Sequence, residues 1–145
     1  MKVEVKKPEE MQNIARELLK GGVGEAATIL GLSGDLGAGK TTFTQQLAGL
    51  LGVKEDVTSP TFVIEKVYNL PEPTLYGFKK LIHIDAYRLD SGAELLSLGF
   101  KELLVSPHNL IIIEWPERVA DVLPSGTKIL KFTFINDTIR TVDYD

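Results

Sequence analysis

The sequence predicts an α/β fold in three layers, built on a mixed, partly parallel central sheet. Three observations carry that reading. Short apolar runs alternate along the chain with segments of helical periodicity, the order that builds parallel strands joined by crossover helices. Two of those runs, Leu81 to Asp85 and Leu110 to Glu114, end in a carboxylate. Near the C-terminus two alternating segments flank Asn136-Asp137, the pattern of a hairpin, which makes the sheet mixed.

The elements follow in order. Met1 to Lys7 alternates Val3 and Val5 with charged residues, as a short strand does. From Pro8 on, Met11, Ile14, Ala15, Leu18 and Leu19 fall at helical spacing, and Gly21-Gly22 ends that helix. Ala27 to Leu32 reads as a buried strand. A glycine-rich turn leads to a helix from Lys40 to Leu51, stopped by Gly52. Thr61 to Tyr68 is rich in β-branched and aromatic residues and predicts a strand, whereas Asn69 to Gly77 holds two prolines and predicts a loop. Leu81 to Asp85 is a strand. Ala93 to Leu104 is a helix with Leu95, Leu96, Phe100, Leu103 and Leu104 on its apolar side. Leu110 to Ile113 is the most apolar strand, and Pro116 opens a short helix at its first position. Lys128 to Ile135 and Ile139 to Tyr144 pair as the closing hairpin.

The chain has 145 residues, a length expected to form one domain with a sizeable core. Hydrophobic residues make up 43% and charged residues 25%, ordinary globular usage that excludes a disordered chain. No cysteine is present, so disulfides, thiolate metal sites and a Cys nucleophile are excluded. The apolar runs are too short to span a bilayer, and the N-terminus lacks the apolar stretch of a signal peptide, so a cytoplasmic protein without a membrane partner is expected. The net charge is −4, and the four arginines, Arg16, Arg88, Arg118 and Arg140, are scattered. That balance lacks the electrostatic footprint of a nucleic-acid binder.

Gly34-Asp35-Leu36-Gly37-Ala38-Gly39-Lys40-Thr41 matches G-x-x-x-x-G-K-[ST], and it stands where that motif must stand, after a strand and before a helix. The fold expected is therefore P-loop NTPase-like. Glycines let the backbone wrap closely and aim N–H groups of residues 35–40 at phosphate oxygens. The following helix adds the positive end of its dipole. Lys40, expected in a solvent-facing loop, supplies charge to the β- and γ-phosphates. The Thr41 hydroxyl is a ligand for Mg²⁺, and Thr42 reaches the α-phosphate.

Such a site needs an acid at the end of a neighbouring apolar strand. Glu114 and Asp85 both qualify, since α/β sheets bind ligands at the carboxyl ends of their strands. Glu114 is expected as a metal or water-positioning ligand and Asp85 as the second acid, both catalytic; which of them contacts Mg²⁺ directly stays open. His83 shares a sheet face with Asp85 and reads as a structural histidine. Arg88 reads equally as a phosphate or partner contact and as a solvated side chain. Thr58, Ser59 and Thr61 lie on a loop stiffened by Pro60, suited to sensing a γ-phosphate. Trp115 reads as core by residue type; Pro116 is expected to hold it extended.

Guanine specificity lacks its Asn-Lys-x-Asp motif, which favours ATP. A small-molecule kinase and a nucleotide-switched binding module remain as alternatives, although a kinase usually gathers more arginines around its phosphates.

Taken together, Gly-Asp-Leu-Gly-Ala-Gly-Lys-Thr-Thr at 34–42, Thr-Ser-Pro-Thr-Phe at 58–62, His-Ile-Asp-Ala-Tyr-Arg-Leu at 83–89, Leu-Gly-Phe at 98–100 and Ile-Glu-Trp-Pro-Glu-Arg at 113–118 resemble the TsaE (YjeE) family over nearly the whole chain. The resemblance implies a weak Mg-dependent ATPase, with ATP/ADP and Mg²⁺ as cofactors. It implies work in the threonylcarbamoyl modification of the adenosine beside the tRNA anticodon, together with the TsaD–TsaB pair, which performs the transfer and through which tRNA is reached. Weak self-association is compatible with it. It marks Asp85, Glu114 and Trp115 as functional and the Thr58 to Phe62 loop as switch-like, which for Trp115 reverses the core reading.

Overall fold

The structure is a computed structural model that describes residues 1–60, 63–72 and 75–145. Among these residues, strands β1 (Lys2–Val5), β2 (Thr28–Ser33), β3 (Glu65–Asn69), β4 (Lys80–Asp85), β5 (Asn109–Glu114), β6 (Lys128–Phe134) and β7 (Arg140–Asp143) form one sheet in the order β1-β7-β6-β2-β5-β4-β3. The middle of the sheet, β6-β2-β5-β4, is parallel; β3, β7 and β1 pair antiparallel at the margins. The sheet is mixed, as its sequence predicts.

Two core clusters make the three layers. Helices α1 (Glu10–Leu19) and α2 (Lys40–Leu50) cover one face, packing on Leu30, Leu32, Leu81, Leu110 and Ile112. Helices α3 (Gly92–Ser97) and α4 (Phe100–Leu104) and a 3₁₀ segment, Pro116–Val122, cover the other, packing on Ile29, Ile82, Ile84, Ile111 and Ile113. Side chains alternate between sheet faces, so the central strands, covered on both, must be apolar on both. β5 meets that demand from Leu110 to Ile113, all fully buried.

Three expectations about the elements change. The strand expected over Thr61–Tyr68 begins only at Glu65; Thr61 and Phe62 lie outside the described residues. Before it, the N–H groups of Val63 and Ile64 both donate back to the Pro60 carbonyl and Ile64 takes φ 68°, which makes a turn where a ladder was expected. The helix expected over Ala93–Leu104 is two, because Gly99 adopts φ 89°, a left-handed conformation that closes α3 and caps α4. Trp115 is not extended. It sits at φ 60°, ψ 51°, and the chain turns sharply from β5 into the 3₁₀ segment.

Candidate functional site

The phosphate loop joins β2, in the middle of the sheet, to α2. Gly34, Gly37 and Gly39 all hold positive φ, and a side chain at Gly34 would collide with the Phe132 backbone oxygen, 2.4 Å from its Cβ position. Gly39 caps α2 without a side-chain hydrogen bond, so the first-turn N–H groups are left to a ligand.

Lys40 opens that helix but is not solvent-facing. It is 5% exposed, and its Nζ has no hydrogen-bond partner among the described residues. The ammonium rests instead 3.9 Å from the centroid of the Trp115 ring. Burial pushes its pKa down from the ordinary lysine value, against the opposing pull of Glu114, Asp85, Glu117 and Asp35. The left-handed backbone at Trp115 makes this contact possible: one side of the half-buried indole packs on the second core cluster while the ring reaches the ammonium. Tyr87 lies against the same indole, with ring centroids 5.1 Å apart, and Arg118 lies 5.1 Å over the Tyr87 ring.

The two predicted acids stand side by side. Asp85 and Glu114 are register partners on the parallel pair β4–β5, and both are 4% exposed. The Ser59 hydroxyl bridges them, 3.0 Å from Asp85 Oδ2 and 3.2 Å from Glu114 Oε2. The Tyr87 backbone N–H donates to Asp85 Oδ1 at 3.0 Å. His83, fully buried, lies with Nε2 2.7 Å from Glu114 Oε2. A carboxylate oxygen accepts, so Nε2 carries the proton. His83 is thus structural, and what it structures is Glu114.

Of the sequence-predicted site residues, Leu36, Gly37, Gly39, Lys40, Thr41, Thr42, Ser59, Asp85, Glu114 and Trp115 line one groove of about 770 Å³. Asp35, Ala38 and Thr58 do not line it: Ala38 is buried behind the loop, where its N–H donates to the Asp35 carbonyl, and Thr58 is exposed on the surface. Arg88 is exposed outside the lining, and Thr61 lies outside the described residues. The far wall was not foreseen. It comes from the β1–α1 junction, Val5 to Pro8 with Met11, and from the β6–β7 turn, Asp137, Thr138 and Arg140. Only the pairing of β1 with β7 brings those segments together, and no local pattern announces it. Among the described residues no group of three or more His, Cys, Asp or Glu side chains makes a metal cage, and no helix is long and apolar enough to cross a membrane.

The family model for TsaE, described as threonylcarbamoyl adenosine biosynthesis protein TsaE, matches residues 5–142. The chain belongs to the TsaE family. It is similar to the tRNA threonylcarbamoyladenosine biosynthesis protein TsaE of Treponema pallidum, 36% identical over 118 residues that span 81% of this chain and 82% of the relative. With the TsaE of Streptomyces coelicolor it shares 41% identity over 74% of this chain and 68% of the relative. A crystal structure of Bacillus subtilis YdiB superposes with a TM-score of 0.73 at 30% identity, covering 99% of this chain and 83% of that one.

Proposed function

We propose that this TsaE-family chain binds Mg-ATP in the groove and hydrolyses it slowly, in the service of tRNA threonylcarbamoyladenosine biosynthesis. The observation that carries the reading is Lys40, a buried ammonium with no hydrogen-bond partner among the described residues, at the uncapped start of α2. A buried charge without hydrogen bonds is costly. A polyphosphate supplies the acceptors, drawing Lys40 off the Trp115 ring.

The loop N–H groups up to Lys40, except that of Ala38, which donates to Asp35, and the first turn of α2 then hold the β- and γ-phosphates, and Thr42 the α-phosphate. The Thr41 hydroxyl and Glu114 would hold Mg²⁺, with Asp85 as the second acid. That donor set suits a cation usually bound by one or two carboxylates plus phosphate oxygens. The chemistry such a cation would supply there is neutralisation of phosphate charge. The rest is work for side chains of this chain. Asp85 accepts a hydrogen bond from the attacking water and orients it. His83 fixes the Glu114 oxygen it touches, and Ser59 ties the 58–60 loop to both acids, so that loop senses what occupies the acidic end.

Slow turnover follows from the cations. Among the described residues Arg140 is the arginine that lines the groove, and it is bound to the Gly37 carbonyl rather than aimed at the acids. An arginine finger is worth roughly 10³–10⁵ in rate when supplied. The TsaD–TsaB pair completes the site, and tRNA is engaged through that pair, consistent with a net charge of −4. Phosphate release measured alone, with TsaD–TsaB, and with small hydroxyl acceptors tests this. Slow release that the pair accelerates is expected. Fast release indifferent to the pair would indicate an independent hydrolase, and transfer only to an acceptor a kinase.

A further inference from the structure

We propose that Arg140 is a positioning residue that holds the phosphate loop in its binding shape from the opposite wall of the groove. It opens β7, 103 positions from Gly37 in sequence, yet its Nε donates to the Gly37 carbonyl oxygen at 3.1 Å. The guanidinium is itself held on other sides. Nη1 donates to the Asn136 carbonyl at 2.6 Å and to the Ile139 carbonyl at 3.4 Å, and Cζ lies 4.5 Å over the Phe134 ring. A planar, permanently charged fork so fixed donates to Gly37 with little further loss of freedom.

Gly37 is where the loop needs holding. Its φ is 82°, and a Cβ placed there would meet no atom within 4 Å, so packing does not fix this residue. The peptide that carries its carbonyl also carries the Ala38 N–H, which donates to Asp35 at 3.1 Å. Turning that peptide breaks both bonds and re-aims the dipoles on which a phosphate site depends. A charge-assisted hydrogen bond from Arg140 opposes the turn. The proposal rests on the nucleotide reading above. It adds a signature of its own: Arg140 touches the loop and not the acids, so it serves ADP and ATP alike and leaves the chemical step alone.

The test is calorimetric titration of Mg-ADP and Mg-ATP into the wild type, Arg140→Ala and Arg140→Lys, with melting curves and steady-state hydrolysis alongside. The wild type is expected to saturate. Arg140→Ala should weaken both nucleotides about tenfold, the order expected for losing a hydrogen bond from a charged donor. KM should rise in step, with kcat within about twofold. Arg140→Lys should recover part of the affinity, because an ammonium can reach Gly37 but cannot also hold Asn136 and stack on Phe134. A wild type that binds no nucleotide overturns the ATP reading. A wild type that binds, beside an Arg140→Ala chain that binds as tightly, overturns the Arg140 role alone, even if that variant melts earlier. A fall in kcat at unchanged affinity overturns it too, by making Arg140 a catalytic contact. If Arg140→Ala does not fold, Arg140→Lys decides: it must bind both nucleotides more weakly than wild type, and equal affinity refutes the proposal.

Discussion

The bodies of β4 and β5 and their carboxyl ends are equally dry but chemically opposite. Ile82, Ile84 and Leu110 to Ile113 are apolar and fully buried, while Asp85 and Glu114 at the strand ends are 4% exposed and carry carboxylates. In the body, burial is its own justification, since each apolar side chain removed from water adds stability. At the ends, burial works against the fold, because carboxylates and an ammonium lose hydration. The hydrogen bonds from Ser59, His83 and the Tyr87 N–H offset that loss for the acids; Lys40 has no hydrogen bond among the described residues, only the face of Trp115 and the attraction of nearby carboxylates. A sheet built only for stability would continue its isoleucines by one residue. The polar ends therefore mark what the strands are for.

The sharpest way to break this comparison is to neutralise the acids. Glu114→Gln and Asp85→Asn keep shape and remove charge. Partner-stimulated hydrolysis should fall by about 10²–10⁴-fold, the usual range for losing a proton-handling group, while the melting temperature stays close to wild type. Full stimulated turnover in either variant would reassign that residue as a surface or capping acid.

The converse change belongs in the body. Ile111 faces the second core cluster, away from the acids and the phosphate loop. Ile111→Ala should cost about 2–5 kcal/mol of stability, measured by denaturant unfolding, and leave nucleotide affinity per folded chain unchanged. If affinity collapsed with it, the two regions would not be separable.

Trp115 belongs to both regions, so its effect is the smallest. Trp115→Ala should cost less than the roughly 3–5 kcal/mol of a fully buried tryptophan, yet still weaken stimulated turnover. As the one tryptophan of the chain, it should change its fluorescence when Mg-ADP draws Lys40 off the ring. An unresponsive spectrum, with a variant that simply unfolds, would return Trp115 to the core.

What was legible in the sequence was local. The phosphate loop needs consecutive residues, and the acids announce themselves because an apolar run stops at Asp85 and at Glu114. What was hidden needs long-range pairing or an unusual backbone. The β1–β7 pairing supplies the far wall and Arg140, joining segments from opposite ends of the chain. The left-handed turn at Trp115 runs against the extended shape usual before proline, and it decides both where the indole lies and why Lys40 is buried. The break between α3 and α4 was written in Gly99, but the leucines on either side keep one helical rhythm.

Lys40 offers the most direct test of the central claim, that a buried ammonium is kept for a phosphate. Mg-ADP titrated into wild type and Lys40→Ala, with the melting temperature of each, decides it. Wild type should bind saturably and Lys40→Ala show no saturable binding over the same range. The variant should still fold and melt close to wild type, because among the described residues the buried cation has no hydrogen bond to lose. A Lys40→Ala chain that binds Mg-ADP as tightly as wild type, or that fails to fold, would contradict the account.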